Sequence, residues 1–234
     1  MFGANGHGSG QADAVSKAFA RSKRTLDVVA SAAALSLLWP LLALAALGIW
    51  ATMGRPVLFR ITRPGLRAKP FTLLKFRTMR DLFDPAGKPL PDKVRVTRLG
   101  RILRRSSLDE LPQLLNVLRG DMSLVGPRPL RLDYVPLYTP EQARRHLVKP
   151  GITGVAQING RNALSWDEKF ALDVWYVEHA NLALDLRILM QTVVHVLRRR
   201  SVSPEGDLDV PSFTGSLPVN HAEASSPGIS GGPS

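Results

Sequence analysis

Residues 28–53 read VVASAAALSLLWPLLALAALGIWATM, a stretch without a single charged side chain. As one straight helix at about 1.5 Å per residue it would run roughly 39 Å, against a hydrocarbon core of about 30 Å, so it is long enough to span a bilayer. Two features argue against an ordinary span. Pro40 falls at its centre, where it removes a backbone hydrogen bond and bends a helix. Both flanks are basic, with Arg21, Lys23 and Arg24 before the stretch and Arg55, Arg60, Arg63, Arg67 and Lys69 after it. Positive charge beside membrane segments tends to stay cytoplasmic, so matched flanks favour both ends on one side. A re-entrant helix-break-helix that enters and leaves one leaflet satisfies both features; a simple span is the alternative. Backbone groups freed near Pro40 would need partners within the protein, such as Ser36. The run is too long and starts too late for a cleaved signal peptide.

Outward from this segment, 234 residues suit one domain with appendages. Residues 1–22 are Gly-rich at their start and residues 203–234 are rich in Pro, Ser and Gly. Neither composition buries enough apolar surface to order itself, so both read as disordered tails around a membrane hairpin at 23–54 and a domain at 55–202. The formal net charge is +12, and because the C-terminal tail holds acids and no Lys or Arg, the positive excess lies in the middle of the chain. That excess implies an anionic partner: nucleic acid, an acidic membrane surface or a phosphorylated substrate. With no cysteine, disulfides, zinc–thiolate sites, iron–sulfur clusters and thiol nucleophiles are excluded. The five histidines are scattered, without His-x-x-x-His spacing, so a histidine metal site is not expected.

The local patterns give a mainly α fold with one small β-hairpin, an α+β arrangement. Pro56–Thr62 and Phe71–Phe76 read as strands around an Arg63-Pro64-Gly65 turn. Residues 81–92 read as a loop. Ser107-Leu108-Asp109-Glu110 matches a capping box ahead of Leu111, Leu114, Leu115 and Leu118, with Gly120 as the stop and Pro112 blurring the start. Ser165-Trp166-Asp167-Glu168 is a second capping box for a helix to about Ala180. A further helix from about Leu184 to Arg199 carries Leu186, Leu189, Met190, Val193, Val196 and Leu197 on one face. Ordinary packing explains that stripe about as well as contact with a lipid interface does.

Asp109 and Glu110 lie between an arginine-dense run (Arg98, Arg101, Arg104, Arg105) and the loop Gly120-Asp121-Met122-Ser123-Leu124-Val125-Gly126-Pro127-Arg128-Pro129. Acids in a first helical turn are often there only to offset the helix dipole, a gain of about 0.3–1 kcal/mol. The setting suggests more. Arg104, Arg105 and Arg128 can each bind phosphate oxygens in bidentate fashion, and neighbouring cations would keep an attacking carboxylate ionised. In Lys75-Phe76-Arg77-Thr78-Met79 cations alternate with apolar groups, as on a strand with one packed face and one meeting an anion, or on a plain solvated edge. Asp173 and Asp185 are acids on otherwise apolar helices, where a carboxylate is more often simply solvated.

Taken together these blocks resemble the bacterial sugar transferases, specifically the small monotopic phosphoglycosyl transferases. The resemblance runs from about Lys23 to Val202 through Lys23-Arg24-Thr25-Leu26-Asp27, Arg63-Pro64-Gly65, Lys75 to Met79, Ser107 to Gln113, Gly120 to Pro129, Lys149-Pro150-Gly151-Ile152-Thr153-Gly154 and Leu172 to Val177. It implies two-step transfer of a sugar phosphate from a UDP-sugar to undecaprenyl phosphate at the cytoplasmic face of the bacterial inner membrane, starting lipid-linked glycan or exopolysaccharide assembly. By the same resemblance Asp109 is the nucleophile of a covalent aspartyl-phosphosugar intermediate that releases UMP, and Glu110 holds Mg2+. Lys75, Arg104 and Arg128 offset phosphate charge, with Asp173 and Asp185 as further substrate-site acids. Interfacial amphipathic helices would surround a cytoplasmic catalytic domain. The expected partners are the UDP-sugar, undecaprenyl phosphate, inner-membrane lipid, downstream glycosyltransferases and a possible homo-oligomer, but not nucleic acid. The family's membrane break usually falls at Ser-Pro, and here it is Trp39-Pro40. Larger members carry additional membrane helices and a further soluble domain, for which this length leaves no room, so a minimal form is expected.

Two other classes compete. A basic, membrane-anchored binding module would account for the charge but leaves the acid pair unexplained. A glycosidase would need carboxylates facing each other about 5–9.5 Å apart across a sugar bond, which neighbours on one helical turn do not do.

Overall fold

In the computed structural model, which describes residues 8–160, 163–197 and 212–215, one long helix lies against a small mixed domain. This helix, α1, spans Gly8–Met53 and has Pro40 inside it. The sequence predicts two helices separated by a break, and the backbone instead stays helical through Pro40. The helix also starts at Gly8, within the stretch whose composition reads as a tail.

Both halves of α1 pack on the same domain. Ahead of Pro40, Ala30, Ala34 and Leu35 join a core built on Leu73, Val117, Met122, Val125, Tyr176 and Ile188. Beyond it, Leu42, Ala45, Ala46 and Ile49 join a second core with Phe76 and Leu103. Between them Leu37 is 79 % exposed and Trp39 64 %.

Polar bonds fix the first half. The Lys23 ammonium donates to Asp185 Oδ2 (2.6 Å), the Val125 carbonyl (3.0 Å) and Tyr176 Oη (3.1 Å). Arg24 donates to the Val117 and Leu118 carbonyls. Asp27 accepts from the Leu124 amide (2.9 Å) and Ser123 Oγ (3.1 Å). Residues 23, 24 and 27 share one face because side chains three and four apart stack on a helix. Val117 and Leu118 end a helix, where carbonyls lack intrahelical partners and a cation is favoured.

The predicted hairpin is present, with β1 (Leu58–Pro64) and β2 (Pro70–Phe76) antiparallel, Leu58 opposite Phe76 and Pro64 opposite Pro70. Its turn is longer than read and runs from Gly65 to Lys69 through the left-handed Arg67 and Ala68. Then come α2 (Asp92–Arg95), α3 (Arg98–Arg105) and α4 (Gln113–Arg119). Gly120, at φ 93°, ends α4 as predicted. The domain continues through β3 (Ser123–Val125), α5 (Pro140–Ala143), β4 (Gly151–Thr153), α6 (Val155–Ile158), α7 (Trp166–His179) and α8 (Leu182–Leu197). The parallel β3–β4 pair was not anticipated. Gly126 follows it, and a Cβ there would collide with the Lys149 carbonyl, so the two chains meet only with glycine.

The Ser165 capping box forms, its hydroxyl accepting from the Glu168 amide while the Glu168 carboxylate accepts from the Ser165 amide. On α8, Ile188 is buried whereas Leu186, Met190, Val193 and Val196 stay exposed, so most of the predicted apolar stripe faces outward. Of the C-terminal stretch read as a tail, residues 212–215 are described, and Phe213 is buried in an aromatic cluster. Its ring lies 5.0 Å from Phe170, 5.6 Å from Trp166, 5.7 Å from Tyr134 and 5.8 Å from Tyr138. Composition cannot reveal such an anchor, because one aromatic residue suffices.

Beside this cluster Asp173 and Arg145 form an ion pair at 2.7 Å, with side-chain exposures of 5 % and 2 %. Removing one partner strands a buried charge, so Asp173→Ala is expected to cost about 3–5 kcal/mol of stability, measurable by chemical denaturation in detergent.

Candidate active site

Asp109 and Glu110 sit in a tight 3-10 turn, Leu108–Glu110, between α3 and α4. The capping box read at Ser107 does not form. Ser107 adopts a left-handed conformation (φ 56°) without a side-chain cap, and α4 begins only after Pro112. A left-handed non-glycine residue costs about 1 kcal/mol or more. That turn reverses the chain between two helices and leaves both acids on the wall of a cleft.

The cleft encloses about 550 Å³, a size ordinary for small-molecule sites. Lys75, Arg104, Asp109, Glu110 and Arg128, five of the sequence-predicted site residues, all line it. β2 supplies Lys75, α3 supplies Arg104, the 3-10 turn supplies the acids, and the loop after β3 supplies Arg128. The side chain of Asn116, wholly buried on α4, holds β2 in place. It accepts from the Leu74 amide at 3.0 Å and donates to the Thr72 carbonyl at 2.7 Å. Sequence reasoning passed over it, since an Asn inside a leucine-rich run gives no hint of its distant partners.

The two acids have different surroundings. Glu110 Oε1 accepts from Lys75 Nζ and Arg128 Nη2, each at 2.8 Å, while Oε2 has a longer bond of 3.4 Å from Arg128 Nη1. Burial alone would raise the Glu110 carboxyl, but Arg128 and Lys75 hold it well below the usual carboxylate range. Among the described residues no hydrogen bond or ion pair ties down the Asp109 carboxylate. Burial, then the neighbouring Glu110 charge, push it up to about 6, against the pull of Lys75, Arg104 and Arg128. The expectation that neighbouring cations keep this group ionised holds only in part, because its desolvation outweighs them. It is still mostly charged at neutral pH.

Arg104 is aimed by its Nε–H, which donates to Thr78 Oγ1 at 3.0 Å. Arg128 is held through its carbonyl, which accepts from Arg145 Nη2 at 2.7 Å. Arg145 in turn pairs with Asp173 and lies over the Phe170 and Tyr138 rings. Asp173 and Asp185 are not brought to the cleft. Asp173 reaches it only through Arg145 and Arg128, and Asp185 is buried under Lys23 and Tyr176. Burial raises the Asp173 carboxyl, with Arg145 pulling it back, and raises the Tyr176 hydroxyl, with Asp185 adding to it. Neither Asp173 nor Asp185 lines the cleft.

Among the described residues no third His, Asp, Glu or Cys joins the two acids as a metal cage. Two carboxylates with hard oxygen donors suit a cation that completes its shell with substrate phosphate and water. A free carboxylate and a paired carboxylate thus share one cleft with Lys75, Arg104 and Arg128, a set chemically suited to phosphate.

Residues 18–199 match the family described as bacterial sugar transferase. The chain belongs to that family. It is 60 % identical over 168 residues to the uncharacterized sugar transferase EpsL of Bacillus subtilis, covering 72 % of this chain and 83 % of that one. It is 48 % identical over 186 residues to the UDP-glucose:undecaprenyl-phosphate glucose-1-phosphate transferase of Caulobacter vibrioides, covering 75 % and 69 %. Against the undecaprenyl-phosphate galactose phosphotransferase of Salmonella typhimurium it is 38 % identical over 197 residues, covering 76 % of this chain but 40 % of that protein.

For this transferase, a step that needs the Asp109 carboxylate loses its active form as pH falls through about 6. The acid limb of kcat/KM is expected to bend near that pH and then drop about tenfold per unit, as a pH–rate profile will show.

Proposed function

We propose that this protein is a phosphoglycosyl transferase that moves a sugar phosphate from a UDP-sugar to undecaprenyl phosphate and so starts assembly of a lipid-linked glycan or exopolysaccharide. The observation that carries the reading is the unequal acid pair, with Glu110 neutralised by Lys75 and Arg128 and Asp109 unbonded on the wall of the same cleft. Relatives named for transfer of glucose 1-phosphate and galactose phosphate to this lipid support it.

In the first step an Asp109 oxygen attacks the sugar-bearing phosphorus. A P–O bond forms, and the bond to the departing UMP breaks with its electron pair leaving on UMP. In the second, an oxygen of undecaprenyl phosphate attacks the same phosphorus, forming undecaprenyl diphosphate-sugar and returning the carboxylate. Lys75, Arg104 and Arg128 offset the phosphate charge that gathers in each step. Glu110 would hold magnesium, which when bound would screen the diphosphate and ease UMP departure.

The packing of α1 supports an attachment that enters and leaves one side of the membrane, which the basic flanks assign to the cytoplasmic face. Its contacts with the domain resume at Leu42 after stopping at Leu35, a gap of about 10 Å at ~1.5 Å per residue, too short to cross a bilayer and return to the same domain. An 18-residue window within Phe19–Met53 has a mean hydropathy of 2.1, and the segment's exposed side chains provide the lipid contact. The outward stripe on α8 adds an interfacial face.

In detergent with magnesium, polyprenyl phosphate and a panel of UDP-sugars, the protein is expected to release UMP. Asp109→Asn or a chelator in place of magnesium should abolish release, and full turnover by Asp109→Asn would exclude the nucleophile. For topology, single cysteines placed in turn near each end of α1 in intact cells should both resist a membrane-impermeant thiol reagent. Labelling of only one end would mean a span.

A further inference from the structure

The cleft that holds the acids is lined by a second charged group, formed by Arg77, Asp81, Asp92 and Arg95. It has its own bonds. Arg77 Nη2 donates to Asp81 Oδ2 at 2.7 Å, and Arg95 lies 3.7 Å from Asp81 Oδ1 and 3.5 Å from Asp92 Oδ1. Arg77 also donates to the carbonyls of Met53, Arg55 and Met79, which ties the group to the end of α1.

Charge separates the two groups. Arg63, Lys75, Arg104 and Arg128 exceed Asp109 and Glu110 by two positive charges, which suits phosphate. Two arginines against two aspartates are neutral, and exposed carboxylates repel phosphate. The second group therefore fits an uncharged, hydroxyl-rich part of the ligand. The Asp81 and Asp92 side chains are 61 % and 47 % exposed, so their oxygens keep lone pairs open to the cleft. Phe59, 49 % exposed and on the cleft wall, stands opposite Lys75 in the β1–β2 register. Directly opposed residues share a face, so this ring and the phosphate-facing Lys75 serve the same space. A flat apolar ring beside carboxylate acceptors matches a pyranose, which has one face of C–H bonds and a rim of hydroxyls.

We infer that Phe59, Asp81, Asp92 and Arg95 form the hexose subsite of the donor and read the sugar's hydroxyl pattern. The inference rests on the donor reading above and assigns its sugar end. Hydrogen bonds to charged acceptors are strong, and a site built around them rejects a sugar whose hydroxyl is misplaced, because a polar group is then left unpaired.

Asp109→Asn protein, which does not turn over, is titrated calorimetrically with UDP, UDP-glucose and UDP-galactose in detergent and magnesium. Adding Asp92→Asn or Phe59→Ala is expected to weaken the preferred UDP-hexose about tenfold and narrow the preference between the two hexoses, with UDP affinity unchanged. Both side chains are substantially exposed, and unchanged melting temperatures will separate lost contacts from misfolding. Equal weakening of UDP would move these residues to the nucleotide and overturn the hexose assignment, as would unchanged affinities throughout. If the parent binds neither UDP nor any UDP-hexose, the donor reading falls and the subsite with it.

Discussion

Lys23, Arg24 and Asp27 reach from an otherwise lipid-compatible helix into the domain, where they meet Asp185, the Val117 and Leu118 carbonyls and the Leu124 amide. Lipid gives apolar helix surfaces little reason to prefer protein over acyl chains, so directional polar bonds decide where such a helix docks. These charges would be costly to bury unsatisfied; Lys23 is paired with Asp185, and Arg24 and Asp27 are hydrogen-bonded. The same bonds engage α4, β3 and α8, the elements around which the first core closes. Position relative to the bilayer and integrity of the core therefore depend on one set of contacts.

From the aromatic cluster around Phe213 a separate chain of contacts leads to the cleft. Asp173 holds Arg145, Arg145 holds the Arg128 carbonyl, and Arg128 with Lys75 holds Glu110. Each link is a charge-assisted bond, so the cations facing the cleft stand in set directions before any phosphate arrives. Glu110 spends its charge on keeping Lys75 and Arg128 in place, which leaves Asp109 without a competing partner. Its raised carboxyl is the cost of a dry setting, and a carboxylate poorly solvated in its resting state is a better nucleophile for the same reason.

What the sequence disclosed was whatever is local. The Ser165 capping box, the hairpin strands and the Gly120 stop each depend on a few neighbouring residues, and each is present. Ser107 carries the same Ser-x-x-Glu pattern and fails, because the chain must turn sharply between α3 and Pro112 and a left-handed serine does that. Long-range partners were beyond reach. Asp185 finds Lys23 across 162 residues, and nothing near Asp185 tells a buried ion pair from a solvated or substrate-facing acid. The β3–β4 pair is two three-residue strands, too short to show alternation. The acids, Arg104 and Arg128 were legible as a group because chemically matched residues crowd two short stretches; Lys75 joined them only through the family resemblance, and their unequal roles required the geometry.

That inequality bears on the proposed two-step transfer. Counting Arg63, Lys75, Arg104 and Arg128 against the two acids, this part of the cleft has an excess of two positive charges. A nucleotide diphosphate and a lipid phosphate each bring about two negative charges, so holding both at once would set roughly four against two in a partly desolvated space. A bound magnesium ion would ease that imbalance. If Asp109 first takes the phosphosugar, the nucleotide monophosphate can leave before the lipid phosphate enters, and the two anions use the same cations in turn. On the proposed mechanism the covalent intermediate would follow from electrostatics in a single cleft, and the carboxylate left unpaired beside Glu110 would be the group that makes the alternation possible.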